Sequence, residues 1–366
     1  MTATITPATR SATASSNGTK SAGKKSIGKK PTAGTARTRR SIRPAAQALL
    51  DPYPLWVPET PTLLELAVGV TSATAAALAS PLLVGPLTKA LSPLGVDPAK
   101  LEPTPEEMGD PGWFGPDSVA WRVHTEPAML IAGIAAFTLQ SLHPLAMAGV
   151  AEHSAFSEDF LGRTQRTADF VQCVVYGSSI EAAAICRTVR KVHDHVVGVA
   201  PDGRPYSAND PELLHWVHVA QYATIGAANR RFGVHPMSRS ELDTYIGEVA
   251  RVGTEIGVLD PPTDWKGLME GIERHRPNLA IAQYASAGLA FLVRPPFLPD
   301  LAQPVWRALW HGAIACLPPS ARDLLCLPTP TPQQLAATRV LLRILQAPGG
   351  TPPRLLAARK RLGISA

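Results

Sequence analysis

Residues 168–193 read ADFVQCVVYGSSIEAAAICRTVRKVH, and this stretch decides the fold class. Apolar side chains recur every three or four positions on both sides of a Gly-Ser-Ser break, which predicts two helices joined by a tight turn. Ser178 or Ser179 is a suitable N-cap for the second helix, with Glu181 in its first turn. Because no alternating strand pattern exceeds four residues anywhere, the sequence predicts an all-α, helical bundle-like fold.

The same periodicity extends on both sides of this stretch. Pro144 follows His143 and is predicted to interrupt one helix. Asp210 and Pro211 are predicted to start another helix, as its cap and first-turn residue. Residues 198–209 are predicted to form a loop, and a break at 348–353 is predicted to split the basic, amphipathic segment 338–361 into two short helices. The other predicted helices are at 128–140, 212–231 and 242–252.

The charge of the chain is concentrated at its start. The 366 residues carry a formal net charge of +6, yet residues 1–45 hold ten basic side chains and no acidic one. The rest therefore has 25 basic against 29 acidic residues. A segment so poor in large apolar side chains is predicted to be disordered, and the mildly acidic remainder argues against nucleic-acid binding by the folded domain.

Three regions are predicted: a disordered basic tail at 1–50, a helical and Pro-rich extension at 51–111, and one helical domain at 112–366. Residues 66–88 carry no charge, but their Ala, Ser, Thr and Pro content favours a buried or surface helix over a membrane span. Arg39 and Arg40 are not followed by an apolar stretch, so export is disfavoured. A cytoplasmic location is expected, with peripheral membrane contact left open and the oligomeric state undetermined.

Simple chemical motifs are absent from the sequence. The four cysteines are not in CxxC spacing and are expected to be free and mostly buried. There is no Walker loop, no GxSxG, no HExxH and no GxGxxG after a strand. The chemistry must therefore come from other polar residues on the helices.

Two groups of residues are candidates for that chemistry. Arg163, Arg166 and Thr167 share one helix face by spacing and could contact a carboxylate or a small molecule. His193 lies beside the apolar stripe Val189, Val192 and Val196, so its ring needs hydrogen-bond partners or a metal. His215 and His218 are three apart and could share one face of a helix.

Eight short motifs resemble the MpaB-type oxygenase family, whose catalytic domain the rubber oxygenases (latex-clearing proteins) share. Each motif is weak alone, but their order and spacing over roughly 112–300 are specific. They are GWFGPDS at 112–118, WRV at 121–123, LQSLHP at 139–144, GRTQRT at 162–167, VRKVH at 189–193 with Gly198, DGRPY at 202–206, DP at 210–211 and LLHWVH at 213–218.

The resemblance implies an all-helical domain that holds a b-type haem. It implies that His193 is the axial iron ligand, and that Arg163 and Thr167 correspond to an arginine and a threonine that matter in the family. Arg166 stands where the rubber oxygenase has a distal lysine, and an arginine stays charged and cannot ligate iron. Glu152 is the candidate for the family's glutamate base.

The functional expectation is a haem b-dependent oxygenase that acts with O₂ on a small lipophilic, isoprenoid or unsaturated, substrate. Arg163, Arg166 and Thr167 are the expected catalytic residues. His193, Arg163 and His218 are expected to bind the cofactor, with His193 on the metal and His218 or His143 next in line. Two alternatives stay open: a haem-binding protein without turnover, and a helical membrane-surface protein without a cofactor.

Overall fold

The two helices predicted within 168–193 are present, joined by Gly177 and Ser178. The structure is a computed structural model that describes Trp56, Thr60 and residues 101–153, 159–346 and 351–365. The predicted disordered tail at 1–50 and the predicted helix at 66–88 lie outside these residues. The described residues fall in one of the two units into which the chain divides, Pro52–Ala366. The boundary predicted at residue 111 stays a prediction.

The described part of the chain is helical apart from one short hairpin, so the predicted fold class is confirmed. In chain order the elements are α1 Val119–His124, α2 Ala128–Gln140, α3 Pro144–His153, α4 Phe160–Tyr176, α5 Ser179–His193, β1 Val197–Val199, β2 Pro205–Ser207, α6 Pro211–Phe232, α7 Arg239–Ile256, α8 Trp265–His275, α9 Gln283–Val293, α10 Gln303–Ala315, α11 Pro319–Leu324, α12 Pro332–Gln346 and α13 Pro353–Arg361. Single turns of 3₁₀ helix lie at Pro105–Glu107, Arg276–Asn278 and Asp300–Ala302.

Helix α6 runs through the main core. Asp210 caps it by accepting hydrogen bonds from the backbone N–H groups of Glu212 and Leu213, and Pro211 occupies its first turn, as predicted. Helices α2, α7 and α8 surround it. A Cβ at Gly226 would lie 2.8 Å from the Trp265 ring, so this glycine lets α8 approach closely. Small residues and apolar side chains on every face are typical of a buried central helix.

The helical hairpin of α4 and α5 packs beside this core, against α1 and α7. Asp159 caps α4 by accepting from the backbone N–H of Gly162. Ser178, one of the two predicted caps, begins α5 in a capping box with Glu181. The turn is tight, since a Cβ at Gly177 would clash with the carbonyl oxygen of Cys173.

The predicted loop at 198–209 contains a small antiparallel hairpin, so that prediction was wrong in part. Strands β1 and β2 pair Val197 with Ser207 and Val199 with Pro205. Three-residue strands are too short to show an alternating pattern, which is why the sequence carried no signal for them. Buried Tyr206 joins the hairpin to α3, α6 and α9.

Helices α2 and α3 meet at the predicted break and are bent by 109°. Within the described ranges, no single helix is long and apolar enough to cross a bilayer; α2 and α3 meet that test only as a bent pair. The apolar side of α12 is buried against α10. All four cysteines are free as expected, and Cys326 alone is exposed.

Candidate functional site

Arg163 and His193 lie on the two helices of the α4–α5 hairpin. Only Gly177 and Ser178 separate these helices, which pack against each other. Arg163 is thirteen residues before Tyr176, and His193 is fourteen after Ser179. At the rise of an α-helix both lie about 20 Å from the turn. The half of the hairpin farthest from this turn, called its open end below, is the candidate site.

The hairpin is poorly covered at this end. Helix α4 has no buried residue before Cys173, and only Ala182 and Cys186 are buried on α5. Phe170 and Val189 are half-buried. This environment contrasts with α6, most of whose residues are buried. The outer half of the hairpin therefore presents apolar and basic side chains that the described protein covers only in part.

Of the three polar residues predicted on α4, Arg163 is the one withdrawn from solvent. Its burial, with a smaller contribution from Arg166, lowers the pKa of the guanidinium to about 10. Arg166 is exposed and pairs with Asp159 at 3.0 Å between Nη1 and Oδ2. The Thr167 hydroxyl donates to the carbonyl of Arg163 at 3.1 Å. A half-buried cation next to a second cation favours an anionic ligand.

His193 is the last residue of α5 and is half-buried. Burial lowers the pKa of its ring, against smaller opposing effects of Asn209 and Asp194. Its Nδ1 atom is buried and has no hydrogen bond to any described residue. The neutral ring therefore keeps a nitrogen lone pair, which a metal requires.

The apolar stripe predicted beside His193 is not buried as expected. Val192 is 57% exposed, and Val189 and Val196 are half-buried. The stripe lies at the open end of the hairpin, where the described helices cover it only in part. Helical spacing identifies a face but does not show what packs on it.

His218 lies deep in the core, 2% exposed. Burial is the main cause that lowers its pKa to about 3. Neither ring nitrogen has a partner among the described residues. The ring is closely packed: a Cβ at Gly253 would lie 2.8 Å from its Cε1 atom, and Tyr222 stacks edge-on at 4.8 Å between centroids.

His215 and His218, which by spacing could share a helix face, contact different neighbouring helices. His215 faces α8, where its Nδ1 lies 3.0 Å from Nε2 of His275, whereas His218 faces Gly253 of α7. Residues three apart diverge by about 60° around a helix, and two neighbouring helices separate them here. His143 lies beside His275 at 6.1 Å between ring centroids. The sequence carried no signal for this pairing, because His275 is sixty residues beyond His215.

Glu152 belongs to a network of phenols. Tyr206 donates to its Oε2 at 2.5 Å, and Tyr284 donates to its Oε1 at 3.1 Å. Burial, followed by Glu152, raises the pKa of Tyr206 to about 12. Gly149, one turn before Glu152, lies against Val196, which follows α5 by three residues. The network is thus close to the end of α5. Tyr206 belongs to the DGRPY motif but was given no role from the sequence, and Tyr284 was not singled out.

A haem is compatible with these residues. In the described part of the chain no three His, Cys, Asp or Glu side chains converge as a metal site. A haem iron does not need such a group, since the porphyrin itself supplies most of its ligands and a single protein nitrogen can add to them. The neutral, half-buried His193 and the half-buried cation Arg163, on the partly covered helices α5 and α4, fit that group.

Comparison with known proteins identifies one family. The model described as "ER-bound oxygenase mpaB/B'/Rubber oxygenase, catalytic domain" matches residues 121–347. The match runs from the middle of α1 to just beyond α12, further towards the C-terminus than the motifs at 112–300 indicated. No curated protein and no solved structure matches the chain.

Proposed function

This chain belongs to the MpaB/rubber oxygenase catalytic-domain family, and on that premise we propose that it is a haem b-dependent oxygenase acting with O₂ on a lipophilic substrate. The family establishes an oxygenase domain; the haem, the substrate class and the residue roles are the proposal. The observation that carries it is His193, a half-buried imidazole at the end of α5 whose pKa is lowered by burial, so that the neutral ring has a lone pair for a metal.

His193 would hold the iron through a ring nitrogen. It is the last residue of α5, so its backbone is fixed by the last helical turn. The haem supplies the binding and activation of O₂. The protein supplies the nitrogen ligand and a partly apolar surface on which a flat ring can lie.

Arg163 would pair with a haem propionate. Burial, followed by Arg166, lowers the pKa of this half-buried guanidinium, and a guanidinium binds a carboxylate through charge-assisted hydrogen bonds. The Thr167 hydroxyl donates its hydrogen to the Arg163 carbonyl, and its oxygen can still accept a hydrogen bond from another group. Arg166 remains charged next to Asp159, so its part is electrostatic and it does not ligate the iron.

Glu152 would hold a proton-accepting position near the site. Both carboxylate oxygens accept a phenol hydrogen, so Tyr206 and Tyr284 fix the orientation of the group. Lone pairs remain on each oxygen for a further donor. The arrangement supports Glu152 as the base that the family resemblance implied, with the two tyrosines as its positioning residues.

A lipophilic substrate is supported by an aromatic cluster one helical turn before Arg163. Phe160 lies 4.6 Å from Phe291 and 5.7 Å from Phe297 between ring centroids, and 6.5 Å from Phe137. All four rings are only half-buried. A partly exposed group of phenyl rings favours contact with an apolar molecule.

The test begins with hemin titration of the purified full-length protein. We expect a Soret band and a b-type pyridine haemochrome in the wild type. His193→Ala should lose the axial ligand, and with it most of the hemin affinity or the wild-type spectrum. His218→Ala is the matched control, since it removes a buried imidazole elsewhere. Oxygen uptake with an unsaturated or isoprenoid lipid then tests turnover.

The results of the hemin titration and of the oxygen-uptake assay distinguish the proposal from its alternatives. A wild-type protein that takes up no hemin contradicts the proposal. An unchanged spectrum in His193→Ala, with loss in His218→Ala, moves the ligand to the core histidine. Haem binding without oxygen uptake on any lipid supports the non-catalytic haem-binding alternative.

A further inference from the structure

Asn209 contacts the last turn of α5, the turn that contains His193. Its Nδ2 donates to the carbonyl of Arg190 at 3.2 Å and to Oδ1 of Asp194 at 2.7 Å. Both acceptors belong to the last turn of α5 or its cap, one on each side of His193 in sequence. The residue itself is only half-buried, in the segment between β2 and α6.

These two bonds fix the orientation of the amide. A carboxylate and a carbonyl both accept hydrogen bonds, so only the NH₂ group of Asn209 can face them. A flipped amide would place its oxygen against two acceptors, which removes the ambiguity that usually attaches to amide side chains. The Oδ1 atom must therefore point away from Arg190 and Asp194.

That oxygen is buried without a hydrogen bond to any described residue, and so is Nδ1 of His193. The two bonds of Nδ2 to Arg190 and Asp194 place the amide at the last turn of α5, which contains His193. A buried polar atom without a partner is costly, so an acceptor and a ring nitrogen at the same helix end favour a hydrogen bond between them.

We propose that Asn209 is the positioning residue of His193: its Oδ1 accepts a hydrogen bond from Nδ1–H, which fixes the tautomer and leaves Nε2 as the free ligand atom. The inference rests on the proposed function, because it assigns the second nitrogen of the imidazole that binds iron there. Metal-binding histidines generally donate their other ring N–H to an oxygen acceptor, which orients the ring and raises its basicity. Hydrogen bonds at such sites are often long before the ligand binds and tighten when it does.

The first test needs no haem. The apo full-length chain with ¹⁵N-labelled histidine should show His193 as the neutral Nδ1–H tautomer, assigned by its loss in His193→Gln. Asn209→Leu removes the acceptor while keeping similar bulk, and its His193 should no longer hold that tautomer. An Nε2–H tautomer for His193 in the wild type would overturn the proposal, even if the Asn209 variant fails to fold.

The second test uses hemin-loaded protein. Asn209→Leu should release hemin at least about tenfold faster than the wild type, the range found when such outer partners are removed. The iron potential of Asn209→Leu should become more positive, because the ring loses the acceptor that raises its basicity. Ser207→Ala is the control, because it removes a hydrogen bond to the Asn209 backbone N–H and leaves the side-chain amide in place.

The two proposals fail separately. If the wild type does not bind hemin, the haem assignment fails while the tautomer measurement still decides the role of Asn209. If hemin binds but Asn209→Leu keeps the wild-type release rate and potential, Asn209 only braces α5, and the inference is wrong.

Discussion

At the scale of single residues, Glu126 is a buried carboxyl group that accepts three hydrogen bonds. The side chain is 6% exposed, and burial raises the pKa of its carboxyl group. Its Oε2 accepts from Asn229 Nδ2 and from the backbone N–H of Val234, both at 3.0 Å, and its Oε1 accepts from the N–H of His235 at 3.1 Å. The carboxylate thereby joins the end of α6 to the segment before α7.

We predict that Glu126→Gln lowers the free energy of unfolding by about 1–3 kcal/mol. The amide offers one oxygen where the carboxylate offers two, so an NH₂ group must face a backbone N–H donor. Urea denaturation of the two proteins at pH 7 measures the difference. Glu270→Gln, which changes an exposed carboxyl 3.7 Å from Lys266, should stay within about 0.5 kcal/mol. Equal effects of the two substitutions would contradict the argument.

Residue chemistry also explains what the sequence missed in the site. His193 was identified because its residue type can bind a metal. Asn209 precedes a helix cap, where asparagine is common for local reasons, so its type carried no indication of a neighbour on α5. Tyr284 lies 132 residues from Glu152, and only the fold brings them together.

At the scale of elements, an arginine of α13 donates hydrogen bonds to the turn between α4 and α5. Arg361 is 3% exposed, and its guanidinium donates to the carbonyls of Tyr176 at 2.8 Å, Gly177 at 3.1 Å and Asp110 at 2.8 Å. The first of these carbonyls ends α4, which leaves its last carbonyl groups without helical partners. A cation at a helix C-terminus also interacts favourably with the helix dipole.

We predict that Arg361→Ala lowers the unfolding free energy by about 2–3 kcal/mol and weakens the hairpin first. Three carbonyls lose a charged donor, and the amides of the α4–α5 turn should exchange faster with deuterium than those of α6. Hydrogen exchange with mass spectrometry can locate this effect. Lys360→Ala is the control, since Lys360 is exposed and pairs with Glu102 at the surface. A uniform loss of protection over the whole chain would argue against a local role.

At the scale of the whole molecule, buried histidines set the response to acid. His124, His143, His215, His218 and His275 are each less than 7% exposed. Burial is the first cause that lowers the pKa of His124, His143 and His215 to about 4, from an ordinary value of 6.5. The folded protein therefore keeps these rings neutral, while the unfolded chain takes up protons below pH 6.5.

We predict that the free energy of unfolding falls as pH decreases from 6.5 towards 4. The unfolded state binds more protons in this window, so stability is full above pH 6.5 and is lost below it, by up to about 1.4 kcal/mol per pH unit for each histidine. Urea midpoints at pH 7, 6 and 5 measure the slope before most carboxylates titrate. His124→Gln can keep a hydrogen bond to Tyr245 and should reduce the slope. A stability that does not change between pH 7 and 5 would contradict this prediction.

The local pattern of the sequence determined the helices and their caps. Helix starts could be predicted from spacing and side-chain chemistry alone, because each cap accepts hydrogen bonds from backbone N–H groups two or three residues further along the chain. The caps are Ser178, Asp210 and Ser238. The family motifs, being linear, also indicated the oxygenase domain. The cytoplasmic location and the region boundaries stay predictions.

Only the tertiary structure decided which of these residues meet. It showed that His215 contacts α8 while His218 contacts α7, and that the Asn209 amide donates to the Arg190 carbonyl and to Asp194 at the end of α5. Periodicity gives the direction of a side chain around its own helix, whereas its burial and partners depend on helices distant in sequence. Fold class could therefore be predicted from local interactions, while the site depends on non-local packing.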